Sequence, residues 1–419
     1  MRDLRKYLIW LALLSFSAQL GAQPLSLQEA LKEAASQNPT LQAAYAQVRS
    51  AEADVHQAYL LQNPELEARV LWPRGPGQPL QEYSISYNII DLFQRGARVG
   101  ISKSRRDATL MDTLRRAVEI EAEIKTAYYS VQGHSQALRE QKVLLDIPKV
   151  NSDLAERQRE AGNIPAIELA EKKAALLQAR TMYYNRELAL FESRQELARL
   201  LGRAPEVAQI QVSQGPPDLP VEEDKSAAVM VAEALTQRRD LQSLALEKEA
   251  LQTDRGQQTL LIFDETHLGY AYEREVDGEV LHGAALTMPL PIFDQRQAQK
   301  QRLDAQIERQ DALQRELTQQ VTSEVNLLLV RMANARLRVE QLEELVPLRQ
   351  EILDLSRQQY NAMLIGTYQL LDLRGQGSVT LLTLADAKAD FWRAHAELER
   401  ALGRTILEDK LPLEMEKTR

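Results

Sequence analysis

Cysteine is absent from this 419-residue chain. That excludes disulfides, thiol chemistry and thiolate metal ligands. It also leaves no residue after an N-terminal leader to carry a lipid anchor. Glycine and proline are few, 17 and 16, and aromatic residues make up 5%. Ala, Leu, Gln, Glu and Arg dominate instead, a composition of long helices and coiled coils rather than of two or three ordinary domains. No apolar run beyond the N-terminus reaches the roughly 20 residues of a membrane-spanning helix, so a membrane form of this chain must use strands. Neither sign of charge is in large excess: the net charge is -9, with acids and bases interleaved. Without a basic tract, nucleic acid is not an expected partner.

The chemistry of catalysis is missing as well. There is no Ser/His/Asp constellation, phosphate-cradling glycine loop or metal-hydrolase motif. Gly375-Gln-Gly377 lies in a helical stretch with no strand before it. The five histidines, His56, His134, His267, His282 and His395, form no pair at ligand spacing. The expectation is a protein with no enzymatic activity, cofactor or resident metal.

What is present is a duplication. Leu197-Ala-Arg-Leu-Leu-Gly-Arg203 recurs 201 residues later as Leu398-Glu-Arg-Ala-Leu-Gly-Arg404. Glu196 aligns with Glu397, Leu169 with Leu370, Ile164 with Ile365 and Phe191 with Trp392. Leu41-Gln42 matches Leu241-Gln242, and Glu29-Ala-Leu31 matches Glu233-Ala-Leu235. The period is too long for a solenoid; one structural half is built twice. The expected division is a leader over 1–22, a first repeat over 23–213, a linker over 214–225, a second repeat over 226–407 and a tail over 408–419. Arg2, Arg5 and Lys6 before the apolar run Tyr7–Leu14 give the leader its secretory character.

Each repeat changes period once. Leu27 to Leu61 is helical, interrupted at Asn38-Pro39. A period of two then takes over: Leu66, Ala68, Val70 and Trp72 alternate with Glu65, Glu67, Arg69 and Leu71, as do Tyr83, Ile85, Tyr87 and Ile89 with Ser84, Ser86, Asn88 and Ile90. This predicts a β-hairpin over about 63–90. A second follows over about 262–290, where Leu268, Tyr270 and Tyr272 share a face and Asp277-Gly278 marks the turn. Long helix pairs come next, over 95–202 and 294–403. Leu317, Val321, Val325, Leu328, Met332, Ala335, Val339, Leu342 and Val346 form a seam spaced about 3.6 residues per step, which predicts a nearly straight helix. Pro148 and Pro347 are expected to kink or break these helices. Gly162 and Pro165 in one half and Gly366 in the other are expected at the reversals.

Four strands cannot close a barrel, and a sheet in lipid cannot leave its edges bare. Two copies would give eight strands around a filled interior, whereas three would give twelve and a lumen. The alternative is a secreted or periplasmic coiled-coil scaffold with soluble hairpins and no channel.

Leu25-Ser-Leu-Gln-Glu-Ala-Leu31 with Asn38-Pro39, the duplicated helix–hairpin–helix order, the Leu-Gly-Arg repeats and Pro289-Leu-Pro-Ile-Phe-Asp294 together resemble the TolC-type outer-membrane efflux proteins. The last segment resembles the CzcC-type heavy-metal branch. The resemblance implies a mainly helical trimer with four strands per chain. These would form a twelve-stranded barrel in the outer membrane of a Gram-negative bacterium, continued by a long helical barrel in the periplasm. It implies a periplasmic adaptor and an inner-membrane pump of the RND type as partners, with outer-membrane lipid around the strands. By motif match it places Tyr360 and Asp372 of the second half and Glu168 of the first at a periplasmic constriction, with Arg374 pairing to a neighbour to lock the closed state.

Overall fold

The structure, a computed structural model, describes residues 24–204, 210–213, 215–221 and 226–405. The leader, the tail and parts of the linker expected above lie outside these residues. Two short helices come first, α1 (Leu27–Gln37) and α2 (Pro39–Tyr59), followed by strands β1 (Glu65–Leu71) and β2 (Leu80–Asn88). The long pair α3 (Ile90–Glu160) and α4 (Ala166–Leu200) completes the first repeat. The second repeat has the same order: α5 (Ala227–Gln237), α6 (Arg239–Gln257), β3 (His267–Arg274), β4 (Val280–Thr287), α7 (Gln297–Asn361) and α8 (Thr367–Ala401).

The start of α1 is a capping box. The Ser26 hydroxyl accepts the Glu29 amide at 3.3 Å, and the Glu29 carboxylate accepts the Ser26 amide at 2.9 Å, which satisfies two orphan donors reciprocally. Asn38 ends the helix with ψ 120°, the extended backbone that a following proline demands. Its buried side-chain amide donates at 2.7 Å to the Leu200 carbonyl, one of the unpaired acceptors at the end of α4. The same break recurs at Arg238, which has ψ 123°. These bounds align α1 with α5 at an offset of 200, so Glu33 matches Glu233. The sequence pairing of Glu29 with Glu233 is out of register by four residues, about one helical turn.

The Leu-Gly-Arg repeats are helix stops. Gly202 and Gly403 both have φ +73°. In each case the following arginine amide bonds back six residues inclusive, Arg203 to the Ala198 carbonyl at 2.9 Å and Arg404 to that of Glu399 at 3.0 Å. The identity that marks the duplication is therefore one left-handed cap used twice. Around the first, Arg203 grips Glu33 with two bonds of 2.6 and 2.7 Å.

Of the expected kink or break at Pro148 and Pro347, the break does not occur: both lie inside continuous α3 and α7. Each proline forfeits one ladder bond, and the long flanking runs carry the helix through. The expected seam on α7 faces inward. Val321, Val325, Leu328, Ala335 and Val339 are buried, and the other four are half-buried.

The four strands form one antiparallel sheet in the order β1-β2-β3-β4. Its register separates two faces. One carries Leu66, Ala68, Val70, Tyr83, Ile85, Leu268, Tyr270, Tyr272 and Leu286, with Tyr83 and Tyr272 directly paired at a ring distance of 6.2 Å. The other carries Glu65, Glu67, Arg69, Glu82, Ser84, Ser86, Gly269, Ala271 and Glu273, with Arg69 bonded to Glu82 across the pair at 3.0 Å. Within this chain β1 and β4 pair on one side only, and every residue of β4 is exposed.

The chain divides into two compact units, one of residues 1–39, 117–231 and 324–419, the other of residues 40–116 and 232–323. Each unit draws on both repeats, and the sheet lies wholly in the second. The first unit holds a buried charge cluster. Lys125 meets Glu121 at 2.6 Å and Glu399 at 2.8 Å, while Thr405 donates to Glu121 at 2.6 Å.

Candidate functional site

The two reversals and the first turns of α4 and α8 all belong to the first unit. At the end of α3 the chain turns through Gly162, at φ +77°, and the Asn163 amide bonds the Gln158 carbonyl at 2.8 Å. Pro165 then caps α4. The second reversal has the same ladder, with the Leu364 amide on the Gln359 carbonyl at 2.9 Å. Its left-handed residue is Met363, at φ +58°. Gly366 stands three residues later as the N-cap of α8, with φ −84°.

Asp372 is exposed one and a half turns into α8 and accepts a bond from the Gln376 amide at 2.9 Å. Gln376 in turn accepts from Arg349 of α7 at 2.8 Å. Arg374 is exposed and has no ion-pair partner among the described residues. The Tyr360 hydroxyl lies 3.4 Å from the Thr367 hydroxyl, a bond internal to its own reversal. Glu168 is half-buried and sits near Tyr368, a residue the sequence reading passed over. The Tyr368 hydroxyl donates to the Gln158 side chain at 2.8 Å, and the Lys172 ammonium lies 4.6 Å from its ring centroid. Burial first, and the Glu168 charge second, raise the phenol pKa above its ordinary value, so it stays a donor. Tyr368 therefore ties α8 to both α3 and α4. One signal could have found it: at the 201-residue offset it stands opposite aliphatic Ile167.

A second tie lies farther along these helices. Arg186 of α4 makes two bonds to Asp386 of α8, at 3.2 and 2.8 Å. They border a cavity of about 330 Å³ lined also by Ser130, His134, Arg338, Asp390 and Arg393. The His134 Nδ1 faces the Ala189 carbonyl at 3.1 Å, and burial lowers the imidazole pKa, so the ring is neutral at pH 7. No group of three His, Cys, Asp or Glu side chains among the described residues could hold a metal ion. No described helix is long and apolar enough to cross a membrane.

Two helix–hairpin–helix repeats, an open two-faced sheet and paired polar reversals make up a fold of recognisable class. Solved structures share it. A membrane protein from Pseudomonas aeruginosa superposes with a TM-score of 0.73 at 18% identity, covering 90% of this chain and 93% of that one. The CmeC outer membrane channel of Campylobacter jejuni gives 0.73 at 14% identity, covering 90% and 85%. In sequence, residues 30–203 match the family described as outer membrane efflux protein. The cobalt-zinc-cadmium resistance protein CzcC of Cupriavidus metallidurans is 27% identical over 403 residues, 92% of this chain and 88% of that protein. In sequence, residues 30–203 are similar to the outer membrane efflux proteins, and nine-tenths of the chain shares the fold of the solved membrane protein from Pseudomonas aeruginosa.

Proposed function

We propose that this chain is the outer-membrane channel of a tripartite efflux system. It works as a homotrimer that passes solutes handed on by a periplasmic adaptor and an inner-membrane pump of the RND type. The observation that carries the reading is the sheet. Its aromatic and aliphatic face suits lipid, its small and acidic face suits a lumen, and its bare β1 and β4 edges require partners.

The helices also support neighbouring copies. Tyr184 and Leu188 of α4 are more than half exposed, while Ala385 and Ala389, their counterparts in α8, are buried. What the fold supplies to α8 within the chain, a neighbouring copy supplies to α4. The scaffold alternative leaves the apolar sheet face in water, where so large a patch is unfavourable. The likeness to CzcC supports divalent metal cations as cargo. Transport is passive, because the chain carries no nucleotide-binding loop, and the energy comes from the pump.

The expected result of fractionation is a heat-resistant trimer in the outer membrane; a soluble periplasmic monomer would rule out the channel. Tyr360, Asp372, Glu168 and Arg374 belong to the periplasmic constriction in this reading, with Gly162, Pro165 and Gly366 shaping the helix reversals beside it. Tyr368 holds its helix pairs closed. Its hydrogen bond and ring contact together are worth about 1.5 kcal/mol, so Tyr368→Ala should raise the open-to-closed ratio about tenfold. Single-channel recording checks this, and an unchanged open probability would remove Tyr368 from gating.

A further inference from the structure

We infer that Glu171 is the first-repeat counterpart of Asp372 and that both line the narrow end of the channel, six carboxylates per trimer. The inference rests on the channel reading above and adds residues to it. Helices α4 and α8 are both 35 residues long. Each begins after a reversal with the same backbone ladder and ends at the same left-handed glycine, so one offset of 201 holds from end to end. At that offset Glu171 and Asp372 are each the sixth residue of their helix, and both are exposed.

Glu168 falls opposite uncharged Gln369 instead, so it has no carboxylate counterpart in the second repeat. Lys173, the counterpart of Arg374, is occupied by Glu156 at 2.7 Å. Glu171 has no hydrogen-bond or ion-pair partner among the described residues, so its charge is free to act on a passing ion. With three symmetric copies, the two positions alternate around the axis. Carboxylate rings in a narrow pore favour cations and repel anions, which suits the proposed cargo class.

Reversal potentials of the full-length trimer in planar bilayers under a potassium chloride gradient test this. Glu171→Gln should lower the cation-to-anion permeability ratio at least about twofold, and adding Asp372→Asn should lower it further. If Asp372→Asn lowers the ratio and Glu171→Gln leaves it at the wild-type value, the inference is overturned and the constriction stands. If neither variant moves the ratio or the conductance of a trimer that still conducts, the constriction itself is misplaced, and the inference goes with it.

Discussion

Gly202→Ala should destabilise the protein by at least about 3 kcal/mol. Two causes combine. The left-handed backbone at φ +73° alone costs a non-glycine residue about 1–2 kcal/mol. A Cβ at this position would also lie 2.4 Å from the Gln37 carbonyl oxygen, a backbone atom. That backbone cannot easily yield, because Asn38 and Glu33 fasten the same stretch of α1 to the end of α4. Gly162→Ala is the internal control. Its φ is nearly equal, at +77°, but nothing lies within 4 Å of the added methyl, so only the conformational cost of about 1–2 kcal/mol remains. Urea denaturation of the two variants in detergent separates the effects. Equal losses would mean that the junction of α1 and α4 is looser than its contacts indicate.

Lys125→Met should cost about 3–5 kcal/mol, because it removes a buried ammonium that Glu121 and Glu399 share. Adding Glu121→Gln should recover part of that loss, since a neutral amide keeps the Thr405 bond and removes the charge that the ammonium balanced. Melting temperatures of the single and double variants check this, and no recovery would show that the lysine acts through packing alone.

The pH dependence follows from the same cluster. Burial works to lower the Lys125 pKa, but Glu399 and Glu121 outweigh it and hold it above the ordinary lysine value of 10.5. A raised folded-state pKa means that the contribution is present in full below 10.5 and lost as pH rises through the higher folded value. Wild-type stability should therefore show an alkaline loss that Lys125→Met lacks.

The sequence carried the strands and helices well, for reasons that are local. Alternation over Tyr83–Asn88 fixes a strand because successive side chains take opposite faces. The glycines of the two Leu-Gly-Arg segments stop helices because only glycine accepts the left-handed cap without cost. What stayed hidden is long-range or irregular. Met363 takes a glycine's conformation with no sign of it in composition. Lys125 and Glu399 are separated by 274 residues, and neither is unusual in its own neighbourhood. At the reversals, resemblance supplied Asp372 and Glu168, and the offset of 201 was legible at Ile164/Ile365 and Leu169/Leu370; what stayed hidden was the contact of Tyr368 with Gln158 and Lys172.

The parity of the sheet carries one more consequence. Four strands that alternate in direction leave β1 and β4 running in opposite senses. When β4 of one copy meets β1 of the next, the seam is antiparallel like every other pair, so a ring of copies closes with no change of pattern. Closure is also all-or-none, because one faulty edge leaves a gap that the remaining copies cannot fill. For the proposed trimer, in a cell that makes sound and edge-defective chains in equal amounts, random assembly would leave only about one-eighth of the rings intact. A defect at either edge strand would thus be genetically dominant, whereas the loss of a whole allele would not.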